Sequence, residues 1–578
     1  MTLAHQLTTL ETSGLIRLAQ MEPELEYLFR HALIQDAAYE SILKADRRIL
    51  HHAIGETLER LYPERASELA PTLGQHFAAA GETERARKYF TLAGDTALAQ
   101  YANAEAEQHY RAALNWATSE ADKAGALSGL GQALNAQSRF EGAIQAWREA
   151  ILLYQALKDD DNVARLYARS ARTAWYAGDT PRGLTLAREG LAAVEGGPPT
   201  LGMALLLHDA GRACMFSAKT DEGLPFCRQA LTIAEQLGNV EAQADILTTL
   251  GIMSEAARQL DTAIELLGKA AELADSAQSL SIAARAHINL AGKLFLLKGD
   301  LRAGHDHLFR AVELDRRRGS VANEFLDLLS FALSTLFSGD FAAVETMLLA
   351  LRQLVCAIPD PTPYDLWLRT FEALLLRYRG ELTVAVPMLR ACHAQARQAG
   401  KFDWFYWCVL LFAEALLELG ERNEAGRVAA DFIAMLAQDQ WAGVVTARCI
   451  LSAVHLREGR IEEARHRLTE AREKFGSQLT AFEAEHLSLA EARLAVAEKY
   501  WPEALTAFEA TAQAQARMGK RWYRAETLRG WAEAHLARNE PGDVDHAKDL
   551  LREAHALFDE IDVPKYAALV SDRLATLT

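Results

Sequence analysis

The chain has 578 residues, 50% of them hydrophobic and 24% charged, and its 61 Lys and Arg against 78 Asp and Glu give a formal net charge of −17. That balance excludes general binding to nucleic acid or to an anionic membrane surface, because both need a basic footprint, and leaves only a local basic patch open. An ordinary globular chain of this length would divide into several domains, whereas a solenoid can be one continuous body whose repeats touch only their neighbours.

Residues 1–62 do not follow the pattern of the rest. A helix is expected over residues 3–12, then Ser13-Gly14, the apolar pair Leu15-Ile16, a strand at Glu26-Tyr27-Leu28-Phe29, and helices over 31–43 and 47–61. Helix, strand, turn, strand, helix is the order of a winged-helix remnant. A DNA-binding use of it is disfavoured, since the segment holds six Lys or Arg and nine Asp or Glu. Residues 63–126 read as irregular adaptor hairpins. Gly81-Glu82 with Ala86 marks the first, Gly94-Asp95 is expected to kink or restart a helix, and residues 104–116 form a further helical stripe.

From 127 to 563 a unit of about forty residues recurs. Gly299-Asp300, Gly339-Asp340, Gly380-Glu381, Gly420-Glu421 and Gly459-Arg460 stand 40, 41, 40 and 39 residues apart. The grid runs back through Arg258, Ala218, Gly178 and Ser138 and forward through Lys499 and Asn539. Five residues after most of these anchors comes a small side chain: Ala143, Gly183, Gly223, Ala263, Gly304, Ala385, Ala425, Ala464, Ala504. Val344 is larger, and a longer turn at Glu540-Pro541-Gly542-Asp543 moves the last small position to Ala547. A left-handed residue ends one helix and a small one lets the next approach closely, so each unit reads as helix A, tight turn, helix B. Gly196-Gly197-Pro198-Pro199 and Pro359-Asp360-Pro361-Thr362-Pro363 fall between units and punctuate the solenoid. Residues 564–578 read as a capping helix over the last apolar face. The fold class expected is an all-α, right-handed superhelical solenoid of about 12–13 helical hairpins.

The small residues of helix A (Ala373, Ala413), the Gly turn and the small residue early in helix B resemble the tetratricopeptide repeat in its longer form, over residues 64–578. The wording Tyr27-Leu28-Phe29-Arg30-His31-Ala32-Leu33-Ile34-Gln35-Asp36-Ala37-Ala38-Tyr39 resembles the winged-helix segment of signal-transduction ATPases with numerous domains. Bacterial members of that family fuse adenylate or guanylate cyclase or protein kinase domains to the ATPase and end in long tetratricopeptide arrays. The resemblance aligns His31 with a histidine that contacts the nucleotide's terminal phosphate. No Gly-x-x-x-x-Gly-Lys-Ser/Thr occurs here, and Gly268-Lys269, Gly292-Lys293, Gly400-Lys401 and Gly519-Lys520 lack its other residues. His31 is therefore expected to be structural or at the surface, and the chain to be the C-terminal part of a protein whose ATPase, cyclase or kinase module is missing from it.

In such an array helix A lines the concave face. Two clusters there are candidates for binding a partner. Arg165, Arg172, His208, Arg212, Asn289 and Lys293 form a polar, basic strip suited to a carboxylate or an acidic peptide. Trp367 and Trp407 stand 40 residues apart, with Trp404 and Trp441 nearby, and such aromatics suit apolar side chains or sugar rings.

Catalytic patterns are sparse. His305 and His307 in Gly304-His305-Asp306-His307 are two apart, which turns them to different sides of a helix, and His51 and His52 fail as a metal pair in the same way. No His-Glu-x-x-His or Gly-x-Ser-x-Gly occurs. No enzyme activity, cofactor or metal is expected. Cys214, Cys227, Cys356, Cys392, Cys408 and Cys449 show no Cys-x-x-Cys spacing, which reads as thiols in a reducing compartment. No apolar run is read as membrane-spanning, and Met1-Thr2-Leu3-Ala4-His5 lacks a basic segment followed by an apolar one, so a cytoplasmic location is expected. The function expected is a protein-interaction and sensing module. The rivals are a sugar-like effector receptor of the maltose-regulon-activator type and a free-standing scaffold.

Overall fold

The structure is a computed structural model that describes residues 3–20, 26–217, 219–358, 360–398, 406–435 and 443–577. It is an all-α helical-repeat solenoid with, among the described residues, one short hairpin of strands, and it divides into two compact units, Met1–Ala218 and Lys219–Thr578.

The first unit opens with α1 (Leu3–Thr12), β1 (Ile16–Gln20) and β2 (Glu26–Phe29), followed by α2 (Ala32–Ser41) and α3 (Lys44–Leu61). The strands pair antiparallel with Ile16 opposite Phe29. This segment buries little of its own apolar surface: Ile16 is covered, but Leu33 and Leu43 stand exposed. Then come α4 (Ala66–Ala80), α5 (Thr83–Ala99), α6 (Asn103–Asn115), α7 (Glu120–Ala136), α8 (Phe140–Ala156), α9 (Asp160–Tyr176), α10 (Thr180–Ala193) and α11 (Leu201–Phe216). Gly81, at φ +83°, closes the α4–α5 hairpin. The kink expected at Gly94 does not occur, and α5 runs through it unbroken. The glycine serves packing instead: a Cβ there would lie 2.9 Å from the ring of Tyr110. Further on, α7 pairs with α8 and α9 with α10, while α11 lies along α9.

The second unit contains α12 (Thr220–Gln236), α13 (Val240–Ala256), α14 (Leu260–Ser276), α15 (Leu280–Lys293) with a π turn over Leu294–Lys298, α16 (Leu301–Arg317), α17 (Val321–Ser338), α18 (Phe341–Cys356), α19 (Thr362–Tyr378) and α20 (Leu382–Gln398). It continues with α21 (Tyr406–Leu419), α22 (Arg422–Met435), α23 (Val444–Arg457), α24 (Ile461–Phe475), α25 (Ala481–Glu498), α26 (Trp501–Met518), α27 (Arg521–Arg538), α28 (Asp543–Glu560) and α29 (Pro564–Ala575). Successive pairs from α13–α14 to α27–α28 form eight hairpins among the described residues. Helix A packs on the next helix A, as α13 does on α15 and α19 on α21.

The forty-residue grid is visible in the backbone. Ser138, Gly178, Arg258, Gly299, Gly339, Gly380, Gly420, Gly459, Lys499 and Asn539 all adopt positive φ; Ala218 lies outside the described residues. The small position five residues on is buried in each hairpin, from Ala143 to Ala547, and at Val344 as well. At Gly183 the reason is measurable: a Cβ would stand 2.9 Å from the carbonyl oxygen of Ala171 on the facing helix.

Two expectations need correction. Repeats in the second unit do not touch only their neighbours. Arg258, in the α13–α14 turn, donates to Glu483 Oε2 at 2.9 Å and to the Gln478 carbonyl at 3.1 Å. Arg521 donates to the carbonyl of Ser338 at 3.0 Å, and Lys565 pairs with Glu381 at 2.7 Å. The turns of early hairpins are thus seats for helices some two hundred residues later. The second correction concerns apolar length. Leu280–Lys298 and Val321–Ser338 are long and apolar enough to cross a membrane by composition alone, and half of the apolar window in each is buried inside the repeats. Their apolarity is that of helices with neighbours on several sides.

Candidate functional site

The basic strip divides between the two units. In the first, α9 and α11 lie side by side and bring Arg165, Arg172, His208 and Arg212 onto adjoining helices. Arg165 donates to Asp161 Oδ2 at 2.6 Å, one helical turn back, and Arg172 donates to Asp209 Oδ1 at 2.9 Å across to α11. Arg212 lies 3.9 Å from the same carboxylate oxygen and over the ring of Trp175 at 5.7 Å. His208 is fully buried and Arg212 nearly so. Two guanidinium groups therefore share Asp209. Sequence reading passed over Arg169, between Arg165 and Arg172; its spacing of four from one and three from the other was the available signal.

In the second unit Asn289 is turned along its own helix, donating to the Arg285 carbonyl at 2.8 Å, and Lys293 forms an ion pair with Glu255. Trp367 and Trp407 come together on one apolar cleft with Leu326, Leu329, Leu333 and Phe371, of about 60 Å³. Trp407 is 8% exposed and meets Phe482 edge-on at 4.7 Å. Trp404 and Trp441 lie outside the described residues.

Phe482, from α25, is the centre of this interior. Phe295, Phe337 and Trp407 close on its ring, and Lys520 Nζ stands 4.1 Å over it. The buried Lys520 pairs with the buried Glu485, which also accepts from Gln515 Nε2 at 2.5 Å. Beside them Arg377, 1% exposed, donates to Glu414 at 2.9 Å and to Glu418 at 2.5 Å. Burial opposes its charge, but the two carboxylates outweigh burial and hold its pKa above the usual arginine value. Each of these side chains sits on a helix with an apolar partner face, so a one-dimensional pattern reads them as solvated charges.

The histidines are spread among several roles. His31 is the exposed N-terminal flanking residue of α2 and makes no side-chain cap bond. His51 shares a hydrogen bond with His76 at 2.8 Å, and His52 pairs with Glu82. His305 faces Phe331 at 5.2 Å, while His307 turns to His287 at 2.7 Å, so the two diverge to neighbouring helices. His535, Asp543 and His546 gather within ligand distance of one another. Asp543 is already taken up by Arg538 at 2.6 Å and by the backbone N–H of Glu540 at 2.8 Å, which makes the trio a clasp on the last long turn.

No family model matches the chain. An uncharacterized protein of Rhizobium meliloti is 31% identical over 127 residues, which is 22% of this chain and 12% of that relative, so the match spans about an eighth of the relative's length. Among solved structures, a signal-transduction ATPase with numerous domains that bears a tetratricopeptide-repeat sensor, from Pyrococcus horikoshii, aligns with a TM-score of 0.43 at 14% identity, covering 70% of this chain and 59% of that one. The Cut9–Hcn1 hetero-tetramer of the APC/C aligns at 0.49 and 15% identity over 85% and 91% of the two chains. The apo form of RapI aligns at 0.44 and 13% identity over 62% and 99%. The assignment of an all-α repeat solenoid rests on the chain's own hairpins and left-handed turns.

Proposed function

We propose that this chain is a non-catalytic interaction and sensing module, the repeat-bearing arm of a signal-transduction ATPase, cyclase or kinase, which takes a protein or peptide segment on the inner helices of its repeats. The observation that carries this reading is the α9–α11 face, where Arg165, Arg172 and Arg212 gather around Asp161 and Asp209. In a chain of net charge −17 such a cluster of arginines is a local feature, and charge complementarity steers and orients an acidic partner. In this reading residues 1–62 join the repeats to the ATPase, His31 senses nucleotide only beside such a module, and the protein works in the cytoplasm, where its cysteines stay reduced.

The sugar-receptor reading rests on the Trp367–Trp407 cleft. Its 60 Å³ holds a few water molecules and is far below the several hundred Å³ of typical small-molecule sites. Phe482 of the chain itself occupies the aromatic face. Asn289 and Lys293 are engaged within the second unit and would have to exchange partners to bind.

Calorimetry of the purified chain against the products of neighbouring genes, nucleotides and oligosaccharides tests the reading, beside Arg172→Glu/Arg212→Glu and Trp367→Ala. Loss of a protein partner with the arginine pair supports it. Binding of an oligosaccharide that is lost with Trp367→Ala moves the function to a metabolite sensor.

A further inference from the structure

One side of α3 packs on α4. It holds His51, bonded to His76 at 2.8 Å, and Gly55, whose missing Cβ would lie 2.8 Å from the ring of Phe77. The other side is open and apolar. Leu43, Leu50, Ile54 and Leu61 follow at steps of seven, four and seven residues, which keeps them in one stripe along the helix. All four stand exposed, Leu43 at 72%. A single exposed leucine is ordinary, whereas four in one stripe mark a surface for association. The last long hairpin of the array has α29 packed on it, as the end of a solenoid needs.

The stripe has the same spacing read from either end. A second α3 laid head to tail, with a two-fold axis between Leu50 and Ile54, sets Leu50 on the partner's Ile54 and Leu43 on the partner's Leu61, and the axis generates the reciprocal contacts. Beside the stripe Asp46, Ala53 and Arg60 recur at steps of seven, all exposed. In the same arrangement Asp46 comes opposite the partner's Arg60, and the small Ala53 falls next to the axis, where the helices approach closely. A parallel pairing brings both Asp46 to one end and both Arg60 to the other, so neither meets its opposite charge. Arg47, which shares the spacing of the stripe, is drawn aside: its Nε donates to the Ile42 carbonyl at 2.8 Å and its guanidinium lies 4.8 Å over the ring of Tyr39.

We infer that this face of α3 is the interface of a homodimer, covered by α3 of a second copy of the chain in antiparallel packing. Charge complementarity selects that occupant: Asp46 and Arg60 are placed so that the helix complements itself. The dimer does not depend on peptide binding, which uses the α9–α11 face.

Sedimentation equilibrium of the full chain across the micromolar range tests this, with each variant checked for helix content by circular dichroism. Wild type forms a dimer. Leu50→Glu/Ile54→Glu, at positions already exposed, keeps its helix content and raises the dimer Kd about a hundredfold or more. Asp46→Arg raises it several-fold, and Asp46→Arg/Arg60→Asp brings it back toward wild type, because the reciprocal pairs re-form with their signs exchanged. A wild type that stays monomeric overturns the proposal and leaves the face to a partner of another kind. A dimer that survives Leu50→Glu/Ile54→Glu is built on another surface and overturns it equally. Loss with Asp46→Arg that Arg60→Asp does not reverse overturns the antiparallel pairing.

Discussion

Tyr378 on α19 and Tyr523 on α27 hold their hydroxyl oxygens 2.6 Å apart inside the second unit, although 145 residues separate them in the chain. Both are buried. A solenoid that sums nearest-neighbour contacts has no such bond. Here the inner helices of early and late hairpins meet, and Phe482 fills the space between them.

Tyr523→Phe leaves the Tyr378 hydroxyl buried without that partner, at a cost of about 1–3 kcal/mol. Tyr378→Phe/Tyr523→Phe removes both polar groups and should cost less than the sum of the single changes. Denaturant unfolding of the four proteins measures the coupling; strict additivity would mean the two hydroxyls act independently.

Lys520→Met strands the buried Glu485 carboxylate, and breaking a buried pair from one side costs about 3–5 kcal/mol. The same pair has an acid signature. Burial pushes the Glu485 carboxyl up, but Lys520 and His486 outweigh it and hold it well below the ordinary carboxylate range. Stability from a depressed carboxylate is present above its unfolded value, near pH 4, and is lost as pH falls through the folded value. Acid titration of tryptophan fluorescence should show a loss beginning below about pH 4 in wild type and a flatter response in Lys520→Met.

The buried Asp327 stands against Asp315, which accepts from Arg318 at 2.5 Å. Burial first, and then Asp315, push the Asp327 carboxyl up to about 9. The folded protein thus keeps a proton that the unfolded chain releases near pH 4, so this group's stability is fully present below about pH 4 and is lost as pH rises through 9. Asp327→Asn should match wild type in acid and exceed it by at least about 1 kcal/mol near neutral pH. Melting temperatures across that range check the sign; parallel curves would refute the assignment.

Gly420 sits at φ +93° with nothing within 4 Å of a Cβ position. Gly420→Val therefore tests backbone strain without a packing clash, and should cost about 1–3 kcal/mol because a β-branched residue avoids that region. An unchanged melting point would mean that the turn relaxes into another conformation.

The hairpins were legible in the chain because two local rules recur every forty residues: a left-handed residue ends helix A, and a small one admits helix B. Arg258 and Lys499 show that the rule is positional, since they adopt positive φ without being glycine. Gly94 was misread because a glycine that makes room for a ring looks, in one dimension, like one that breaks a helix. Arg165, Arg172 and Arg212 could be placed on one face by counting, but their acids could not: Asp209 reaches Arg172 from a different helix.

By itself the sequence determined the solenoid, its period and its turn residues, because these follow from backbone conformation and side-chain size within a few residues of each position. Only the tertiary structure decided that Trp407 meets Phe482, that Lys520 lies buried against Glu485, and that Arg172 and Arg212 converge on Asp209. Those outcomes depend on how the slight rotation at each hairpin accumulates over many repeats or on which side chains neighbouring helices bring together, and a local pattern carries neither.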